Sequence, residues 1–285
     1  MHSGPVAPLS PLYQLRVLIA MTRKKLLQEW AYSADLLTWF VAPFLFVLPF
    51  IFQARFYSGP ADTGRLAFAS WAGTAEYVGF IAIGAAMYHW VTNILWEIGF
   101  SFRDEQVEGT LEELWLTPAP RGLLILGNSI AHTVINSVTT FVILLLVWVF
   151  FGVSFKVNWV LFALVVVLSW SALYGLGFVY SGLVMLLKES QALVSAGNEL
   201  HMLLAGVTFP LSVLPVWVRG FSRLTPLAWV LTTLRAVILE GASWGDLRTE
   251  IAVLSTMAVV MPLAGYAVFL MFERLTRKRG TLGMY

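Results

Sequence analysis

The carboxylates of this chain gather in one place. Six of its 16 acids (Glu97, Asp104, Glu105, Glu108, Glu112 and Glu113) fall between positions 97 and 113, beside a single base, Arg103. Clustered carboxylates can bind a divalent cation, transfer protons or dock on another protein. Here they match no Asp-rich diphosphate-metal motif, and no H-E-x-x-H spacing joins His2, His89, His132 and His201. Such a charge cluster is too costly to place in hydrocarbon, so it must lie in water or against a protein.

Two further polar groups sit inside apolar sequence. Asn128, His132, Asn136 and Thr140 recur every four residues, with Thr139 adjacent, which puts them along one helix face. Ser195, Asn198, Glu199 and Met202 cluster likewise, near His201. An intramembrane Glu needs a partner. His132 and Glu199 stand at similar predicted depths, so they are expected to approach one another. The stripes either line or gate a substrate path, or they are interhelical hydrogen bonds that hold a bundle together. Gly241-Ala-Ser-Trp-Gly245 fits the G-x-S-x-G nucleophile pattern. It follows a helix-like run rather than a strand, so it reads as a turn. No G-x-x-x-x-G-K-[ST] phosphate loop occurs, and the chain is not expected to bind ATP itself.

The elements that hold these groups are apolar. Of 285 residues, 59% are hydrophobic and 12% charged, against roughly a quarter charged in soluble domains. A net charge of +2 with dispersed bases gives no footprint for nucleic acid. The absence of cysteine excludes disulfides and thiolate chemistry. The start, MHSGPVAPLSP, has no basic-then-apolar signal-peptide pattern.

A bilayer crossing needs about 20 mostly apolar residues, and six stretches qualify: 36–54, 77–96, within 123–151, within 159–187, 192–210 and 251–272. The expected fold is therefore an all-α polytopic membrane protein with six transmembrane helices. Residues 1–35 form a cytoplasmic N-terminus, 36–272 the transmembrane domain and 273–285 a basic cytoplasmic tail. Within Leu12–Trp30, Leu15, Leu18, Ile19, Leu26 and Trp30 share a face, which suits an amphipathic interfacial helix or a plain basic juxtamembrane segment. With both termini inside, 11 of the 18 Lys and Arg residues fall on the inner side, which makes the acidic loop cytoplasmic too. The stretch 211–250, apolar but broken by Pro215 and Pro226, suits either an outer re-entrant helical segment or an interfacial cap. In the fourth span Ser171, Gly175, Gly177, Ser181 and Gly182 form small-x-x-x-small pairs that allow close helix contact.

Within the loop 97–122, Thr110-Leu-Glu-Glu113 is a capping box, and Glu112 and Glu113 favour a helix N-terminus. Leu111, Leu114 and Trp115 share an apolar face, while Pro118 and Pro120 stop the helix. A helix of about two turns is marginal alone and needs a partner surface.

The run EQVEGTLEELWLTPAPR, Glu105 to Arg121, resembles the E-x-x-x-G-T-L-E-x-L-x-x-T-P signature of type-2 ABC transporter permeases, many of them exporters. Residues Phe209 to Gly241 resemble the P-x-x-x-L-P-x-W and R-x-x-x-L-x-G patterns that precede the last span in that family. The resemblance implies a permease paired with a second copy or a similar subunit, and with cytoplasmic P-loop ATPase subunits that carry the ATP and Mg. It also implies that 108–118 is a coupling helix, with Glu105, Glu108, Gly109, Thr110, Leu111, Glu112, Glu113, Leu114, Trp115, Thr117 and Pro118 at the ATPase interface. Asn128, His132, Asn136, Ser195, Asn198 and Glu199 stay pathway candidates from the residues alone. The expected location is the cell membrane, plasma or inner. The rival readings are an ion-coupled secondary carrier using Glu199 and His132, and an intramembrane enzyme.

Overall fold

The computed structural model describes residues 10–31, 33–58, 63–107, 109, 113, 116–117, 121–186 and 190–279. Among them there is no strand. Ten α-helices run as α1 (Pro11–Ala31), α2 (Ser33–Ser58), α3 (Thr63–Ala72), α4 (Tyr77–Val107), α5 (Arg121–Phe151), α6 (Trp159–Leu186), α7 (Ser190–Ala205), α8 (Val216–Ser222), α9 (Pro226–Arg235) and α10 (Arg248–Arg279). Four stretches are long and apolar enough to cross a membrane: Tyr77–Ser101, Gly122–Phe151, Trp159–Val184 and Arg248–Leu275. A shorter apolar stretch, Val41–Gln53, lies in α2, which keeps Pro43 and Pro49 inside the helix.

Helix α4 is the axis of the bundle. Its apolar window is 83% buried, against 17% for α10 and 22% for α5, so the outer helices wrap it. It is also longer than the sequence reading allowed. The second span was expected to end at residue 96 and the acidic loop to begin at 97, but α4 runs unbroken to Val107. The physical reason is that Glu97, Ser101 and Glu105 lie four residues apart on one face that packs on other helices, so their charge does not force the chain into solvent. The backbone turns only at Gly109, whose φ of +77° is left-handed and suits glycine.

Helices α6 and α10 make the closest contact. A Cβ on Gly265 would stand 2.0 Å from the Gly175 carbonyl oxygen, and one on Gly182 would meet Phe269 and Phe272. This is the close approach expected of the small-residue stripe in the fourth span. The same seam corrects a defect. Pro262 inside α10 has no amide to bond the Ala258 carbonyl, and the Ser171 hydroxyl of α6 donates to that oxygen instead. Ser171→Ala is therefore expected to cost about 1 kcal/mol, read as a small drop in thermal stability of the purified protein.

The fifth expected span ends early. Helix α7 has 16 residues and stops at Ala205, where Gly206 turns the chain with φ +64°. The stretch after it folds into a 3-10 turn (Leu211–Val213), α8 and α9. Helix α9 is buried nearly all round, from Pro226 through Arg235, and continues as a π turn, Ala236–Glu240, to Gly241 at φ +67°. Interrupted helices were expected here, and the burial of α9 places that part inside the bundle. Arg219 braces the 3-10 turn through the carbonyls of Ser212 and Leu214.

Arg235, at the end of α9, is 7% exposed. Its guanidinium donates to the carbonyls of Phe80 (3.2 Å), Gly206 (3.0 Å) and Val207 (2.7 Å) and lies 3.4 Å over the Phe80 ring. Gly84 makes room for this arrangement: a Cβ there would sit 1.9 Å from the Val207 oxygen and 2.5 Å from Arg235 Nη2.

Candidate functional site

Residues 89, 93, 97, 101 and 105 repeat every four positions along α4, as His, Asn, Glu, Ser and Glu. A period of four drifts about 40° per step around a 3.6-residue helix, so these side chains wind around α4 as they descend. They face three elements in turn. At the upper end His89 and Asn93 adjoin Ala42 and Pro43 of α2, and the middle meets α5. The lower end meets Lys25 and Gln28 of α1.

The rungs are joined by short bonds. Asn93 Nδ2 donates to Asn136 Oδ1 at 2.6 Å and lies 3.1 Å from His89 Nε2. His132 Nε2 donates to Glu97 Oε2 at 2.7 Å, with His132 buried and Glu97 partly open. Lys24 of α1 holds Glu105 at 3.3 Å, and Lys25 holds Glu29 at 3.1 Å. Around the Glu97–His132 pair lie two cavities: one of about 270 Å³ beside His89, Asn93, Asn136 and Pro43, and one of about 30 Å³ beside Lys25, Glu105 and Asn128. The pair lines both. The larger cavity thus combines one carboxylate, two imidazoles and two amides beside Ala42 and Pro43.

The expected meeting of His132 with Glu199 does not occur. His132 is taken by Glu97, while Glu199 is exposed and near enough to Tyr88 to act on it electrostatically. Tyr88 and Glu97 are nine residues apart, half a turn around α4, so that helix stands between the two groups. Of the second cluster, Ser195 is exposed and Asn198 buried, its Oδ1 without a partner among the described residues. His201 Nδ1 bonds the Gly197 carbonyl at 2.7 Å. Asn128, His132 and Asn136 do share the α4-facing side of α5, as the four-residue spacing required. The α4 partners His89, Asn93 and Glu97 were missed, although the same spacing repeats there, because Glu97 was counted with the loop acids.

The coupling segment falls mostly outside the described residues: Glu108, Thr110, Leu111, Glu112, Leu114, Trp115 and Pro118 are not among them. Gly109 is the turn noted above, and Glu113 and Thr117 are exposed. Glu105 was also expected at that interface. It is buried within the chain, with Lys24 of α1 among its partners.

The G-x-S-x-G match lies in an exposed turn. Ser243 gives its hydroxyl (2.7 Å) and amide (2.9 Å) to Asp246 Oδ2, and these two bonds hold the Asp246 carboxyl below its ordinary range. The serine caps a turn before α10, and no strand leads into it. Among the described residues no group of three or more His, Asp or Glu could hold a metal ion.

Residues 13–239 match the family model described as ABC-2 type transporter. The inner membrane transport permease YadH of Escherichia coli strain K12 is 27% identical over 162 residues, which cover 56% of this chain and 62% of YadH. The same figures hold for YadH of E. coli O157:H7 and of Shigella flexneri. The match thus spans less than two thirds of these relatives' length.

Proposed function

The chain belongs to the ABC-2 type transporter family, and from that premise we propose that it is the membrane subunit of an ATP-driven exporter. It forms the substrate passage as a dimer, and separate P-loop ATPase chains bind the ATP and Mg. In this reading α2, α4, α5, α6, α7 and α10 are the six crossings of an inner-membrane protein with both termini in the cytoplasm. Helix α1 lies along the inner surface, and 211–250 is the outer re-entrant segment. The excess of basic residues on the proposed inner side supports the orientation. The observation that carries the coupling assignment is the end of α4: a helix that runs unbroken to Val107, with a left-handed glycine at 109 that opens the G-T-L-E-E sequence. ATP-driven closure of the ATPases would push on that segment and tilt α4.

Co-purification tests this. Wild-type chain co-expressed with a candidate P-loop ATPase subunit is expected to capture it, and Glu108→Arg or Leu114→Asp to release it while leaving the membrane subunit folded. Undiminished capture by both variants would overturn the coupling assignment. The carrier reading is not favoured, because His132 of its proposed pair bonds Glu97 instead of Glu199.

A further inference from the structure

We propose that the 270 Å³ cavity between α2, α4 and α5 is a substrate site for the ammonium head of a single-chain amphiphile, an inference that rests on the permease reading.

The argument begins with charge. Among the described residues, the titratable groups that line this cavity are His89, Glu97 and His132, with no Lys or Arg. The nearby bases of α1 are engaged with other acids, Lys24 with Glu105 and Lys25 with Glu29. Glu97 is the one carboxylate among the described residues lining the cavity, and it bonds the His132 imidazole rather than a Lys or Arg. A carboxylate in such weakly screened surroundings makes a cation the complementary guest.

The hydrogen-bond inventory points the same way. His132 engages Glu97 Oε2, and Asn93 gives its amide protons to Asn136 and toward His89. No partner among the described residues takes Glu97 Oε1 or Asn93 Oδ1, and both atoms only accept. An ammonium offers three donors and no acceptor, so it fits this pair; a phosphate or carboxylate head would find them repulsive.

The apolar part of the guest has a place as well. Ala42 and Pro43 form the α2 side of the cavity, and next to them Val41, Leu45 and Phe46 are exposed on the outside of α2. A guest can thus leave its chain along the lipid-facing side of α2 while its head enters beside Glu97. The volume suits a small head group rather than a whole drug-sized molecule, whose pockets begin at about 300 Å³.

The test is equilibrium binding of radiolabelled dodecylammonium to the full chain in lipid nanodiscs, with its ATPase present, after subtraction of empty nanodiscs. One saturable site is expected, competed by unlabelled dodecylammonium and not by dodecanol. Glu97→Gln is expected to weaken binding about tenfold or more, the worth of one charged hydrogen bond. Ala42→Phe, which fills the cavity from α2 without removing any group of the polar track, is expected to weaken it as much and decides the matter if Glu97→Gln does not reconstitute. No saturable binding to the wild type, competition by dodecanol equal to that by the amine, or unchanged binding in Ala42→Phe would overturn the proposal. ATPase capture is scored on the same preparations. Lost amine binding with retained capture rejects this site alone, whereas failure of wild-type capture rejects the permease reading itself.

Discussion

Alanine at position 84 is expected to unfold or misassemble the outer half of this protein, although it adds one methyl group. The added Cβ would lie 1.9 Å from the Val207 carbonyl oxygen and 2.9 Å from its carbon, so backbone must move against backbone. Overpacking usually costs about 1–3 kcal/mol, and here it also displaces the acceptor of the 2.7 Å bond from Arg235. The carbonyls of Gly206 and Val207 lie where α7 has ended, and Arg235 supplies their donors. Each orphaned buried carbonyl costs about 1–3 kcal/mol. Arg235→Lys should therefore reproduce much of the loss while keeping the charge, because one ammonium cannot span three carbonyls as a guanidinium fork does. Thermal unfolding of the purified chain, followed by tryptophan fluorescence, reads both effects. Melting of Gly84→Ala alongside the wild type would show that α4 and the 206–207 turn are not in contact.

Gly265→Ala is expected to be nearly as damaging, at the other side of the bundle. Its Cβ would approach the Gly175 oxygen to 2.0 Å and the Gly175 Cα to 3.1 Å, so α6 and α10 would have to separate. Separation would also lengthen the Ser171 bond that satisfies the carbonyl freed by Pro262. Gly220→Ala is the control: nothing lies within 4 Å of the added carbon, and an exposed helical alanine is favoured over glycine by about 1 kcal/mol. The expected order in thermal stability is Gly220→Ala at or above the wild type and Gly265→Ala well below. Equal melting of the two would refute the seam.

The all-helical class and the third, fourth and last spans were legible because runs such as Trp159–Leu186 are apolar for longer than any soluble helix requires. The α6–α10 seam was legible from Ser171, Gly175 and Gly182, although their partner helix was not. Arg235 stood in a recognised pattern, but its burial was not foreseeable: its acceptors are carbonyls more than 25 residues away, and carbonyls leave no mark in sequence. The polar track shows a different blindness. Residues 97–107 were assigned to a loop by their charge, and a charged residue is excluded from a helix only if nothing pairs with it. Lys24 and His132 do the pairing, from helices α1 and α5.

The continuity of α4 has a mechanical consequence. Its 31 residues make a rod of about 46 Å. Near one end Phe80 and Gly84 are clamped against Arg235 and Val207; near the other, Glu105 is tethered to Lys24 and the chain turns at Gly109. A stiff rod held at its far end behaves as a lever with a fixed fulcrum. A tilt of about 10° swings the free end by about 8 Å over that length, and the Glu97–His132 pair, partway along, travels a proportionate fraction. Displacement applied at Gly109 is therefore greatest where α1 rides on the rod, smaller at the cavity, and close to zero at Arg235.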